Sequence, residues 1–577
     1  MAPDNETAVA ELPAEKDGQG AASAPAASLE PPPTDNKTEN EQSYPTGVRL
    51  FMIGFGLCLA VICSNLDRSI LGVATPQITT EFNSLGDIGW YGSAYLLTSC
   101  CSQMFFGKVY AHFSAKWTFL SALAIFEVGS ILCAAAPDSD CLIVGRAVAG
   151  LGATGISTGA LLIISRSMPV SRRPKYTAMI GAAMGVTLVI APFLGGVLTD
   201  RVTWRWCFWI NLPLGGVTLL ITFFLVHIPQ ESGQNEAVLW FQFAQKMDLV
   251  GNTILLPCLV CLLLALQWGG TTYAWNSWRC ILLLCIFAVL FLVWAYVEAR
   301  GGDNSTVPRR LLKMRSILAA TWFAFCLFGM LFVQTYYVPI YFQVAMGDSA
   351  YQAGIKMLAT TAAMTVFFPI TGVMTTATGY YVPSMIAGSV ASAVASGLMV
   401  RFRVNTSTAF WAVALVLAGM GFGLAGQQCM MVPQTILEGD DIALGTSVVM
   451  FAETLSGSVF LAVCENLFET RLIRELEFRA PNADPAYVIA SGASGLRAAM
   501  SRLYDAQTVD NIIESFVAAL QPVWTVAVVL AALSVLGSLA TEWVSVKGKD
   551  GKDGKNGKNK QDKSSVEDGP LNETAAA

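Results

Sequence analysis

The sequence predicts an all-α, polytopic membrane protein of about fourteen helices, and three observations carry that prediction. The chain of 577 residues is 54% hydrophobic and only 13% charged, about half the charged fraction with which a soluble chain covers its surface. Between about Val48 and Val546 it is a series of apolar runs of about 20 residues, each long enough to cross a bilayer as a helix. The Lys and Arg of the short connecting loops fall mostly on one side of that series.

Taken in order, the runs span 50–74, 88–110, 117–136, 141–164, 176–198, 205–228, 249–268, 278–298, 317–342, 353–375, 381–401, 408–432, 443–466 and 517–543. The polar first 47 residues carry no signal-peptide pattern, so the first span is expected to serve as the insertion signal. Lys108 and Lys116 follow the second span, Arg166, Arg172, Arg173 and Lys175 the fourth, and Arg300, Arg309, Arg310, Lys313 and Arg315 the eighth. These loops share a side with both termini, which makes that side cytoplasmic; Arg201, Arg279, Arg401 and Arg403 are exceptions on the other side.

The spans divide as six, two, six. The expected organisation is a disordered cytoplasmic tail (1–47), a six-helix bundle (48–228), a linking segment with two extra spans (229–315), a second six-helix bundle (316–545) and a disordered Lys-rich cytoplasmic tail (546–577). Within the second bundle, 467–515 is expected to form a folded outer loop, with amphipathic stretches such as ETRLIRELEF.

Residues 145–156, GRAVAGLGATGI, contain a complete G-x-G-x-x-G from Gly150 to Gly155. A dinucleotide loop needs a strand before it and an acid about 20 residues beyond. Here the glycines lie inside an apolar span, and Arg172, Arg173 and Lys175 stand where the acid belongs. The run reads as a small-residue packing face on a membrane helix. Cys258 and Cys261 have the spacing of a zinc or redox pair, yet they sit in LLPCLVCLLLAL with no second pair, and the chain has only two histidines. No metal, cofactor or nucleic acid is expected. The sequence holds no Walker A, H-E-x-x-H or G-x-S-x-G motif, which argues against an ATP-driven pump and against an enzyme.

Ionisable residues inside spans are the candidates for function, because hydrocarbon tolerates them only beside a partner or a wet cavity. They are Asp67 and Arg68 in the first span, Glu127 in the third, Arg146 in the fourth, and Glu453 and Glu465 in the thirteenth. Sequence neighbours on a helix do not face each other. Asp67 is therefore expected to point into the bundle and Arg68 to snorkel toward the outer headgroups. Asp67, Glu127 and Arg146 are read as a proton or cationic-substrate path, with a buried ion pair or a helix-packing polar contact as the alternative. In the fifth span, Gly181, Gly185, Pro192, Gly195 and Gly196 place small residues and a helix-breaking proline along one stretch, expected to be a packing seam along which two helices rock.

Several stretches, in order, resemble the major facilitator superfamily, and more closely the fourteen-helix drug:proton antiporters of fungi that export toxins and secondary metabolites. They are Leu66-Asp67-Arg68-Ser69-Ile70 with Ala74-Thr75-Pro76, Trp90-Tyr91 through Leu97, and Phe126-Glu127-Val128-Gly129-Ser130 followed by Gly145-Arg146. The fifth span, Trp204-Arg205-Trp206 with Asn211-Leu212-Pro213, Tyr336 through Gln343, and Gly426-Gln427-Gln428 continue the series. The resemblance covers about 48–545 and implies two six-helix bundles, proton-coupled efflux of amphipathic small molecules by alternating access, a role for Arg146 in proton transfer, and a monomer in a cell or vacuolar membrane. Under it, Gln334, Tyr337, Gln427 and Glu453 are expected to line the substrate cavity. Gly107, Lys108 and Lys116 mark the gating loop, which lacks the Asp usual in the family. Glu453 and Glu465 stand where Gln is expected, which suggests a cationic substrate. An importer of the same fold and a non-transporting sensor are the rival readings.

Overall fold

The computed structural model describes residues 47–82, 88–226, 248–270, 273–302, 305–490 and 496–547. Residues 1–46 and 548–577 of the two tails expected to be disordered, and most of the segment leading into the seventh span, lie outside the described residues. No named strand occurs among the described residues, and fourteen long helices carry the fold. They are α1 (Gly47–Phe82), α2 (Ile88–His112), α3 (Ala115–Ala134), α4 (Ser139–Ser167), α5 (Arg173–Arg201), α6 (Asn211–Leu225), α7 (Leu249–Trp268), α8 (Trp278–Gly301), α9 (Arg315–Ala345), α10 (Ala350–Thr378), α11 (Val382–Met399), α12 (Thr408–Ala425), α13 (Asp441–Arg479) and α14 (Ala506–Ala540).

Among the described residues, twelve helical stretches are long and apolar enough to cross a membrane, and α5 adds a thirteenth if its two arms, bent by 42° around the Pro192 region, count as one span. The fourteenth, α2, is long enough but interrupted by Ser93, Thr98, Ser99, Ser102 and Gln103. Local chemistry sets several starts. The side chains of Asp138 and Ser277 accept from Cys141 N and Cys280 N at the heads of α4 and α8. Ser349 and Gln352 form a reciprocal capping box at α10.

One expectation is corrected. The stretch 467–515 is not mainly a loop: α13 continues to Arg479 and α14 begins at Ala506. ETRLIRELEF belongs to α13, where Leu472 and Leu476, four apart, are buried against Val509, Ile512 and Ile513 of α14. Glu475 pairs with Arg471 (2.7 Å) and Arg479 (2.9 Å), and Arg479 reaches Glu514 (3.0 Å), so charge follows the packing.

α1 to α6 pack chiefly on one another, α3 and α2 against α4, α1 against α5 and α6; α9 to α14 form a second such set. The sets meet along two seams, α2 on α13 and α5 on α10, while α7 and α8 pair with each other and lean on α2. At the ends joined by the basic loops, the seams are tight. A Cβ added to Gly107 would stand 2.6 Å from Ser447 Oγ, and one on Gly372 would stand 2.4 Å from Ala178 Cβ.

Candidate functional site

Two sites adjoin. The first is buried inside the α1–α6 set. Asp67 and Arg146, 0% and 1% exposed, form an ion pair of 2.5 Å. Arg146 also donates from Nε to Tyr91 O (3.0 Å), and its guanidinium lies 4.5 Å from the Tyr95 ring centroid. Asn211, at the head of α6, donates through Nδ2 to Asp67 Oδ1 (3.0 Å) and to Ser130 Oγ (3.1 Å). The carboxylate is thus held by a charge-assisted bond on one oxygen and an amide on the other, which makes a buried ion pair tolerable in a low-dielectric interior. Glu127 lies close enough to Asp67 to interact with it electrostatically, and its carboxyl group packs on Gly215 of α6. Neither of its oxygens has a hydrogen-bond partner among the described residues.

The second site is a cavity of about 100 Å³ between the two helix sets, room for several water molecules. Ser64 and Arg68 of α1, Tyr95 and Gln103 of α2, Gln427, and Glu453 of α13 supply much of its polar wall. Met184, Phe328, Met430 and Met450 supply apolar surface. Two amides cross between the sets: Gln103 meets Met450 Sδ at 3.7 Å, and Gln427 meets Met184 Sδ at 3.8 Å. Tyr95 belongs to both sites, its ring under Arg146 and part of it in the cavity wall.

Measured against the expectations, Gln427 and Glu453 stand in the cavity wall, whereas Gln334 and Tyr337 stand away from it. Gln334 is buried and donates to Ser396 Oγ (2.8 Å) across to α11, and Tyr337 is packed beside Phe468 of α13. Arg68 does not snorkel: it turns into the cavity, with its guanidinium 4.9 Å from the Phe332 ring centroid. Glu465 lies outside that wall, near Tyr336 and Glu469.

On α5, Gly181 abuts Gln427 and Phe368, and Gly185 abuts Thr365 of α10, where a Cβ would fall 2.3 Å from Oγ1. Gly195 is buried, but Gly196 faces open space, with nothing within 4 Å of where a Cβ would stand, and so is no packing residue. The Pro192 side chain lies outside the described residues. Lys108, within α2, is buried and interacts electrostatically with Asp248, just before α7, with Glu298 of α8 and with Arg310, before α9. Lys116 is tied to α6, donating to Phe223 O (2.6 Å). The G-x-G-x-x-G glycines are a packing face: Gly150 meets Tyr95 of α2, and Gly152 meets Phe126 of α3.

Sequence reasoning assigns no role to Asn211, Ser130, Tyr95 or Gln103. Each is a polar side chain in an otherwise apolar run, the same signal that marks Asp67, but uncharged and so easily taken for ordinary helix packing.

Two sets of membrane helices sharing a polar-lined cavity, with an ion pair buried beside it, define a solute transporter. Comparison with known proteins gives the lineage. Residues 57–461 match the Major Facilitator Superfamily, and the chain belongs to that family. It is 43% identical over 536 residues to the MFS-type efflux pump MFS1 of Arthroderma benhamiae, spanning 93% of this chain and 98% of that one. It is 42% identical over 506 residues to the efflux pump aflT of Aspergillus parasiticus, spanning 88% and 98%. The solved structure of the human organic anion transporter MFSD10 (TETRAN) is similar at a TM-score of 0.56 and 11% identity, covering 86% of this chain and 100% of that one; at that identity the likeness speaks for the fold alone.

Proposed function

We propose that this chain exports amphipathic small molecules in exchange for protons, by alternating exposure of the central cavity to the two sides of the membrane. The observation that carries the reading is the buried Asp67–Arg146 pair beneath Tyr95, whose ring also forms cavity wall. A proton on Asp67 cancels the charge that holds Arg146. Arg146 then keeps Tyr91 O and the faces of Tyr95 and Phe208, and α1 loses a tie to α4. Because α1 also carries Ser64 and Arg68 into the cavity, the proton state of Asp67 reaches the substrate. Glu127, without a hydrogen-bond partner among the described residues, is the second carboxyl of the path.

In this reading 48–228 and 316–545 are the two rocking bundles, and 229–315 is a linking insert. Gly107, Lys108 and Lys116 lie at the gate, with Lys108 anchoring the insert. The basic loops and both termini face the cytoplasm, and the protein works as a monomer, without cofactor, in the cell membrane or a vacuolar one. The relatives bearing efflux names support the direction of transport.

The test is accumulation of fluorescent and toxic amphiphiles in yeast lacking its own pumps, for wild type, Asp67→Asn and Arg146→Ala, with and without a protonophore. Export predicts lower accumulation with the wild type, abolished by either substitution and by the protonophore. A well-expressed wild type that changes nothing overturns export, and an effect that survives the protonophore overturns proton coupling.

A further inference from the structure

Arg68 and Glu453 are the two charged side chains among the described residues of the cavity wall, one from each helix set. They interact electrostatically, but no ion pair joins them. The Arg68 guanidinium has the face of Phe332 and no hydrogen bond among the described residues, although it carries five donors in a fixed fork. Glu453 likewise lines the cavity, and its carboxylate makes no hydrogen bond among the described residues, while its backbone carbonyl accepts from Ser456 Oγ at 2.7 Å.

The chemistry of the two groups is unequal. A guanidinium keeps its charge at every accessible pH, whereas a carboxylate discharges by taking a proton. The wall is therefore neutral when Glu453 is ionised and positive when it is protonated. Neither condition leaves a net negative charge to receive a cation. Both leave Arg68 with unused donors for an anion, and in a confined site of low dielectric such a charge-assisted fork is the strongest polar contact on offer. Around it, Asn65 and Ser64 from the same helix add polar groups, and the methionines Met184, Met430 and Met450 offer a deformable apolar bed.

We propose that Arg68 is the specificity-determining residue of this cavity, and that the preferred substrates are acidic amphiphiles: flat or aliphatic apolar bodies carrying a carboxylate, phenolate or enolate. The acid group takes the guanidinium fork, the apolar body lies on the methionines, and Glu453 offsets the charge of Arg68 across the cavity without bonding to it. This replaces the cationic substrate that two extra carboxylates in α13 suggest, since only one of them reaches the wall. The proposal rests on the export reading for its physiological meaning, but its test is separate.

Binding of three matched probes, pyrenebutyrate, pyrenebutanol and a pyrenebutyl trimethylammonium salt, is to be measured on the full chain purified in detergent. The wild type is expected to bind the acid about tenfold more tightly than either other probe. Arg68→Gln removes that preference, bringing the acid's affinity close to the alcohol's, and Arg68→Lys keeps part of it. An equal or tighter affinity for the cation, no measurable binding of the acid, or an acid-to-alcohol ratio unchanged in Arg68→Gln overturns the proposal. If Arg68→Gln does not fold, the wild-type ranking and Arg68→Lys decide alone. The three probes in the yeast assay separate the readings: acid-selective binding without any lowered accumulation sinks export and leaves the cavity's preference standing.

Discussion

Asn211 spends one amide on two acceptors, Asp67 Oδ1 and Ser130 Oγ, and it does so where water cannot substitute. Asn211→Leu keeps a comparable volume and leaves both acceptors bare, so a loss of about 1–3 kcal/mol is expected, the usual penalty for a stranded buried polar group. A thermal melt of the detergent-purified protein checks it, and an unchanged midpoint would show that Asp67 is held by Arg146 alone. At this scale the sequence is half legible. Charge inside an apolar run is costly enough to single out Asp67, Arg146, Glu127 and Glu453. What a one-dimensional pattern lacks is direction across the bundle. Depth on the helix assigns Arg68 to the headgroups, whereas a rotation of about 100° per residue turns it into the cavity while Asp67 faces Arg146. Gln334 and Tyr337 mislead in the same way: Gln334 is bonded to Ser396 within its own helix set, and Tyr337 packs on Phe468 of that set.

Whole helices show which small residues matter. Gly152 lies so near α3 that a Cβ would come within 2.4 Å of Phe126 N, while Gly196 has open space. Gly152→Leu is expected to cost about 1–3 kcal/mol or more through overpacking, and Gly196→Leu to leave the melting temperature nearly unchanged. Equal effects would contradict this difference in packing. The glycine-rich runs are legible as packing faces, but not which glycines meet a neighbour, because that depends on the crossing of two helices. The far end of α1, beyond its apolar span, supplies a pH-dependent tie. Glu81 accepts from Trp204 Nε1 (2.6 Å) and Arg205 Nη1 (2.7 Å), and these bonds hold its carboxyl below the usual carboxylate range. A carboxyl depressed in the folded state contributes stability above its unfolded pKa and loses it as pH falls through the folded value. The melting-temperature gap between wild type and Glu81→Gln should therefore be small, Glu81 being largely exposed, widest near neutral pH, and close to zero in acid. A gap that grows on acidification would reverse the assignment.

Across the whole molecule, the two helix sets are bolted together at the end that carries the basic loops. Arg166 of α4 pairs with Asp440 (3.0 Å), just before α13, and Arg173 at the head of α5 donates to Gln434 O. Beside them, Arg310 of the linking segment pairs with Asp441 (2.6 Å), which ties that segment to the head of α13. The six-two-six division is visible in the spacing of apolar runs. This lock is not, because its acids, in the short acidic run from Glu438 to Asp441 at the head of α13, lie far in sequence from the arginines they meet. Lys108, which the resemblance places in the gating loop, lies within the last turns of α2 and interacts electrostatically with Asp248 and Glu298 of the linking segment and with Arg310. The structure is thus closed at the basic end, and alternating access requires that these ties break together. A partly exposed pair is worth about 0.2–1 kcal/mol, so Asp440→Arg, which also sets two cations against each other, should shift the population toward opening at this end by about two- to fivefold or more. Hydrogen exchange reads the shift without touching the fourteen native cysteines: amides at the head of α13, from Asp441 to about Val449, should exchange faster in Asp440→Arg. The double variant Arg166→Asp with Asp440→Arg restores the attraction with its sign exchanged, and protection should return toward the wild-type value. Faster exchange that persists in the double variant would assign the effect to a damaged helix start rather than to the lock.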